Sequence, residues 1–208
     1  MMTDYVKSDP RSALLDLLAR TSFRLGNFTL SSGAKSDYYI DCRTTTLHAE
    51  GARLTGLAIL DVLREHKLHP AAVGGLTMGA DPVVSAVSVA SAWRAQRDPA
   101  APLIHGFLVR KMEKAHGTGR RIEGFFEKDA PVLIVDDVCT TGASTITAIE
   151  AAREAGMRVV AAVCLVEREE AGGRAALEAA CQGAPFLRLY SANDVRASYI
   201  RQRQSAAR

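Results

Sequence analysis

Along most of the chain, short apolar runs without polar interruption alternate with segments whose apolar positions recur every three or four residues. The first kind reads as strand buried on both faces and the second as amphipathic helix, so the alternation predicts a parallel sheet covered by helices on both sides. Asp9 and Pro10 open a helix in which Leu14, Leu17 and Leu18 share a face, with Gly26 as its expected end. Two short extended pieces follow, near residues 28–30 and 38–41, around a Ser-Ser-Gly turn. A second helix is predicted over 50–66 with Leu54, Leu57, Ala58 and Val62 inward. It leads to a strand closing on Val73, Gly74 and Gly75, and to a helix from Asp81 carrying Val83, Val84 and Val87. Residues 103–109, 131–135, 159–166 and 186–190 read as further strands. Residues 143–155 and 174–180 read as helices, the first stopped by Gly156. Residues 1–45 break the rhythm and are expected to form an appendage to the sheet.

Composition narrows the function classes. The chain has 208 residues, 48% hydrophobic and 24% charged, which fits one globular domain spanning 1–208 and excludes a disordered chain. Lys and Arg number 26 against 23 Asp and Glu, too small an excess for a general nucleic-acid binder. No apolar run reaches the ~18 residues of a membrane span, and the polar start lacks an export signal, so a cytoplasmic location is expected. Cys42, Cys139, Cys164 and Cys181 are widely spaced and read as reduced, buried thiols rather than zinc ligands. His48, His66, His69 and His105 share no metal-like spacing, Trp93 is expected to pack on a helix, and residues 201–204 to form a frayed basic end.

The most informative segment runs from Val132 to Thr145, where an apolar strand empties into Asp136 and Asp137 and a Thr/Gly/Ser loop leads to a helix. In an open α/β sheet, ligands bind beyond the carboxyl ends of the strands. The N–H groups of such a loop and the start of the next helix form an anion site, so residues 140–144 are expected to hold a phosphate. Two carboxylates beside it would repel that phosphate and must address sugar hydroxyls or a Mg²⁺ ion, which together specify a phosphorylated ribose. No GxxxxGK[ST] occurs and no GxGxxG opens the first βα unit, which disfavours nucleotide-hydrolysing and dinucleotide folds.

Asp136 to Ser144 resembles the phosphoribosyl-pyrophosphate (PRPP) signature of the type I phosphoribosyltransferases. That resemblance implies a central parallel sheet with flanking helices and an N-terminal hood over the nucleobase. Asp136 and Asp137 would meet the ribose, and Val138, Cys139, Thr140, Thr141, Gly142, Ala143 and Ser144 would bind the rest of PRPP at its 5′-phosphate. Between Arg110 and Arg121, five basic residues face one glutamate, a local excess above the +3 of the whole chain, and two glycines suggest a mobile loop. The pattern Arg-Lys-x-x-Lys-x-His-Gly is similar to the catalytic loop of the orotate phosphoribosyltransferases. It implies that Arg110, Lys111, Lys114 and His116 bind pyrophosphate and that Lys114, Lys111 and Asp137 are catalytic. It further implies a homodimer in which the loop reaches the neighbouring site, and Mg²⁺ carried by PRPP rather than a protein metal site. Residues 28–41 resemble that family's pyrimidine-framing segment, so Tyr39 and Ile40, with Thr140 and Arg168, are expected at orotate. Ser31 and Met78 stand where some relatives carry lysine, and Lys35 offers a substitute charge. Residues 74–82 occupy the family's pyrophosphate turn, whose glycines permit close approach to an anion. The expected partners are thus small molecules, with neither nucleic acid nor membrane. The rivals are a phosphoribosyltransferase for another base and a PRPP-sensing regulator without activity.

Overall fold

The structure is a computed structural model, and it describes residues 9–29, 33, 35–111 and 121–206. Helix α1 (Pro10–Thr21) begins at Asp9, whose carboxylate accepts from the amides of Arg11 and Ser12, and buries Leu14, Leu17 and Leu18 as expected. It stops five residues before Gly26. Ser22 and Thr21 hydrogen-bond Thr44 and Thr45 instead, and the chain turns at once into β1 (Phe23–Thr29). Strand β2 (Lys35–Ile40) pairs antiparallel with β1, with a register shift between Leu25 and Phe28, so the two short pieces form one two-stranded ribbon.

A one-turn helix α2 (Arg43–Thr46), absent from the sequence reading, leads to α3 (Ala49–Glu65), β3 (Ala72–Leu76), α4 (Asp81–Arg97) and β4 (His105–Val109). Strand β5 (Ile122–Gly124) is followed by β6 (Pro131–Cys139), α5 (Ala143–Glu154) and β7 (Arg158–Glu167). Helix α6 (Arg174–Cys181), β8 (Phe186–Ser191) and α7 (Ala192–Ala206) complete the described chain. The sheet runs β5-β4-β3-β6-β7-β8 and is parallel except at β5, which pairs antiparallel with β4. Three-residue β5 is too short to leave a periodic signature.

The sheet separates two cores. One holds Leu14, Ile59, Val83, Val87, Val135, Leu165 and Val195, from α1, α3, α4, the sheet and α7. The other holds Phe107, Ile134, Ile149, Ala152, Leu177 and Phe186, from the sheet, α5, α6 and β8. With both faces covered, residues 132–135 of β6 and 159–166 of β7 are continuously apolar, which makes them legible as strands.

Four expectations are corrected. The residues expected to fray, 201–204, belong to α7, where Ser198 and Gln202 hydrogen-bond Asp16 of α1. Trp93 is 55% exposed rather than packed, and Leu57 turns from the core to line the same groove between α3 and α4. Gly74 and Gly75 serve packing: a Cβ at Gly74 would lie 2.3 Å from the Phe107 ring, and one at Gly75 would lie 2.2 Å from the Val135 carbonyl oxygen.

Candidate active site

The carboxyl ends of β3, β4, β6 and β7 gather the chemistry. At the end of β6, Asp136 is buried and Asp137 half-buried beside it. Asp136 Oδ2 accepts a 2.8 Å hydrogen bond from Thr145 Oγ1 and its Oδ1 accepts from the Asp137 amide, while Asp137 Oδ1 accepts from the Val138 amide. Burial first, and the neighbouring Asp137 charge second, push the Asp136 carboxyl well above the usual aspartate range. Burial raises Asp137 as well, against the Val138 amide and the Arg43 guanidinium, which favour its ionised form. The pair is therefore an acid cluster short of positive charge. Hydroxyl donors or a hard cation at its open side would relieve that deficit, so the donor chemistry fits Mg²⁺ bound together with a polyhydroxyl ligand. Among the described residues no group of three or more His, Cys, Asp or Glu forms a metal cage of its own.

Beyond the pair, Gly142 adopts φ +80° at the N-cap of α5, and no side chain caps that helix. Thr140, Thr141, Ala143 and Ser144 are exposed around it. The uncapped amides and the helix dipole make an anion cup, with the hydroxyls of Thr140, Thr141 and Ser144 at its rim. Helix α6 underpins the cup: a Cβ at Gly173 would lie 2.2 Å from the Thr140 carbonyl oxygen, and one at Gly142 would meet Leu177. Val138 and Cys139, both expected at PRPP, turn into the two cores instead. The Cys139 carbonyl accepts from the Arg168 amide, and the Val138 amide is spent on Asp137. Strand geometry dictates this, because β6 continues through both residues.

Opposite the acid pair, the turn after β3 carries a cis Thr77-Met78 peptide and brings Gly79 against Asp137, where a Cβ would lie 2.5 Å from Oδ1. Here, rather than at Gly74 or Gly75, glycine permits a close approach to the acid pair. Arg110 and Lys111 leave β4 nearby and are exposed, with Arg110 Nε donating to Glu123 at 3.0 Å. Lys114 and His116, like Ser31, lie outside the described residues.

On the remaining side, Arg168 follows β7 and is buried. Its Nε donates to the Tyr38 hydroxyl at 3.0 Å and to Glu170 Oε1 at 3.1 Å, and its Nη2 donates to Ser36 Oγ at 3.3 Å. Its guanidinium carbon lies 4.6 Å from the Tyr38 ring centroid. Tyr39, expected at the base, points away at 42% exposure with its ring against Phe28, and Ile40 packs on the core. The inward aromatic of β2 is Tyr38, one residue away, and one residue of register exchanges the faces of a strand. Tyr38, Ser36, Glu170, Thr145 and Arg43 were all missed. Of these, Thr145 had a readable signal: the third residue after the glycine that opens a helix faces back toward its start.

Comparison with known proteins shows what the chain is similar to. A family described as the phosphoribosyl transferase domain matches residues 124–177. The orotate phosphoribosyltransferase of Streptomyces coelicolor is 42% identical over 188 residues, covering 90% of this chain and 98% of its own. That of Thermosynechococcus vestitus is 44% identical over 191 residues, covering 91% and 95%. Among solved structures, the Mycobacterium tuberculosis orotate phosphoribosyltransferase bound to Fe(III) dicitrate superposes with TM-score 0.75 at 37% identity, over 90% of this chain and 99% of that one. The same enzyme in complex with PRPP gives 0.70 at 32%, over 90% and 99%. An adenine phosphoribosyltransferase from Leishmania tarentolae, at 12% identity and TM-score 0.60 over 93% of this chain and 97% of its own, shares the fold alone. A twin-acid strand end beside an uncapped helix, on a sheet shared with these relatives along nearly its whole length, makes this chain a member of the orotate phosphoribosyltransferase family.

Proposed function

We propose that the protein transfers the 5-phosphoribosyl group from PRPP to orotate, giving orotidine 5′-monophosphate and pyrophosphate in pyrimidine synthesis. The observation that carries this reading is the acid pair Asp136–Asp137 set directly before the uncapped N-terminus of α5. The cup of residues 140–144 takes the 5′-phosphate through amides and hydroxyls, and the carboxylates face the ribose.

Displacement at the anomeric carbon builds positive charge on the sugar and negative charge on the departing pyrophosphate. Asp137 and Asp136 favour the first, and Arg110, Lys111, Lys114 and His116 of the basic loop favour the second. Asp136 and Asp137 would face a Mg²⁺ ion carried by PRPP, which would supply further charge neutralisation there. Orotate is itself the nucleophile, so no side-chain nucleophile is needed. Thr140 stands at the rim between cup and base, and Arg168 pairs with the orotate carboxylate.

We also propose a homodimer in the cytoplasm. The α3–α4 face supports it, a groove of about 1150 Å³ that exposes Leu57, Val89 and Trp93 among Asp61, Arg64, Arg94 and Asp98. Both signs of charge on one apolar patch suit a two-fold interface with a second copy. The groove reaches the acid pair's surroundings through Arg43 and Met78. The four cysteines are free and buried, as suits a reducing compartment.

The test is the fall of orotate absorbance on adding PRPP and Mg²⁺. A purine that reacts while orotate stays inert would reassign the base.

A further inference from the structure

We propose that Tyr38 and Glu170 are positioning residues that fix the Arg168 guanidinium and thereby make the site selective for a pyrimidine bearing a carboxylate. The proposal rests on the reading that Arg168 meets that carboxylate and adds what holds it there.

A guanidinium presents five N–H groups on two usable edges. On Arg168 the edge made by Nε and Nη2 is already filled from the protein side. Tyr38 Oη accepts from Nε and donates to Glu170 Oε1, which itself accepts from Nε and ion-pairs with Nη2 at 3.1 Å. Ser36 Oγ accepts from Nη2 and donates to the Tyr38 carbonyl oxygen. Nη1 has no hydrogen-bond partner among the described residues, so the end edge of Nη1 and Nη2 is the one left for a planar anion. The arrangement decides direction as well as charge: a free arginine sweeps many rotamers, whereas this one is clamped on one edge and stacked on an aromatic face.

The clamp joins parts far apart in sequence. Tyr38 belongs to the ribbon, Arg168 and Glu170 to the turn beyond β7, and the Tyr38 ring stacks on Phe23 at 5.4 Å. Burial, and then the hydrogen bond to Glu170, push the Tyr38 hydroxyl up to about 12, so it stays a proton donor throughout the working pH range. Glu170 is about half exposed and keeps its charge, because the Tyr38 and Arg168 hydrogen bonds outweigh its partial burial.

The experiment uses the full chain in steady state, with orotate and PRPP varied separately. Tyr38→Phe keeps the ring and its stacking and removes the hydroxyl; Glu170→Ala removes the acceptor; Glu170→Gln keeps an acceptor oxygen without the charge. For Tyr38→Phe and Glu170→Ala we expect the orotate KM to rise about tenfold, as for a lost hydrogen bond to a charged group. The PRPP KM should stay within twofold, and Glu170→Gln should recover most of the loss. Uracil, offered as competitor, should be rejected less strongly by both damaged variants.

An unchanged or lowered orotate KM in Glu170→Ala would overturn the proposal, since Glu170 would then merely mask the Arg168 charge. Equal rises in both KM values would overturn it too, by marking a general loosening of the fold. A wild-type protein inert toward orotate would instead remove the underlying reading of the site.

Discussion

Thr145 and Asp136 form the tightest link between the helix that makes the phosphate cup and the strand that carries the acids: Thr145 Oγ1, fully buried, donates at 2.8 Å to Asp136 Oδ2. The bond favours an ionised Asp136 against burial and against the Asp137 charge. Thr145→Val is nearly isosteric and removes it. A hydrogen bond of this kind contributes about 1 kcal/mol. The acid limb of the kcat/KM profile should therefore move to higher pH by somewhat less than one unit, with the alkaline limb unchanged. An unmoved acid limb would take Asp136 out of the ionisation that limits turnover.

The same acid pair sets a pH dependence of stability. In the unfolded chain Asp136 titrates near 3.9 (about the ordinary aspartate value), and in the folded protein its carboxyl is raised. The fold thus prefers the protonated acid. That preference stabilises fully below about pH 4 and is lost as pH rises through the folded value. Asp136→Asn cannot ionise, so its stability relative to the wild type should improve from pH 5 to pH 8, by about 1 kcal/mol or more. Urea denaturation at the two pH values reads the difference, and a gap that is flat with pH would contradict it.

Glu167 behaves in the opposite sense. It is 2% exposed and accepts from Arg174 at 2.5 Å and from Arg188 at 2.7 Å. Burial works to raise its carboxyl, but the two arginines outweigh burial and hold it low. Its stabilisation is present above the ordinary glutamate range and is lost as pH falls. Glu167→Gln should cost about 2 kcal/mol at pH 7, the arginines being exposed enough to rehydrate, and progressively less as pH falls below the ordinary glutamate range. Since Arg174 starts the helix under the cup, the PRPP KM should rise as well.

If the basic loop serves the neighbouring subunit, two inactive proteins should repair each other. Lys114→Ala lacks the loop cation and Asp137→Asn lacks the ribose carboxylate. Each alone should fall at least a hundredfold in kcat, as for the loss of an electrostatic stabiliser. Unfolded and refolded together, they should form mixed dimers in which one site has both groups, and activity should return. No recovery, with mixed dimers present by mass spectrometry, would confine the loop to its own subunit.

The proposed interface is tested at Trp93. Trp93→Glu places a charge in the middle of the α3–α4 face and should shift the protein to monomer in light scattering, with loss of turnover but little change in melting. A dimer that survives this variant must use another surface.

Legibility in the sequence followed locality. The β6 strand, the acid pair, Gly142 and α5 lie within about two dozen residues, and each announces itself through apolar continuity, turn chemistry or helix period. Arg168 stands out because it directly follows an apolar strand. Tyr38 does not, because the inward face of β2 depends on its pairing with β1, whose register shifts between Leu25 and Phe28. Helix α7 was overlooked since only Ala192, Val195 and Ser198 are buried along it, too few to show a period. Trp93 misled for a related reason: an exposed tryptophan on a helix looks like core until its neighbours in space are known.

The grip of α7 on the opening of the chain has a further consequence. Asp16 is held by Ser198 and Gln202, Asp37 by Arg196, and the Phe23 ring lies 5.2 Å from that of Tyr199. The ribbon bearing Tyr38 therefore leans on a helix that the ribosome makes more than 150 residues later, roughly ten to thirty seconds at ordinary translation rates. The phosphate end is complete in sequence earlier, once α6 has emerged. During synthesis the residues of the anion cup thus exist before the helix that braces the ribbon has been made.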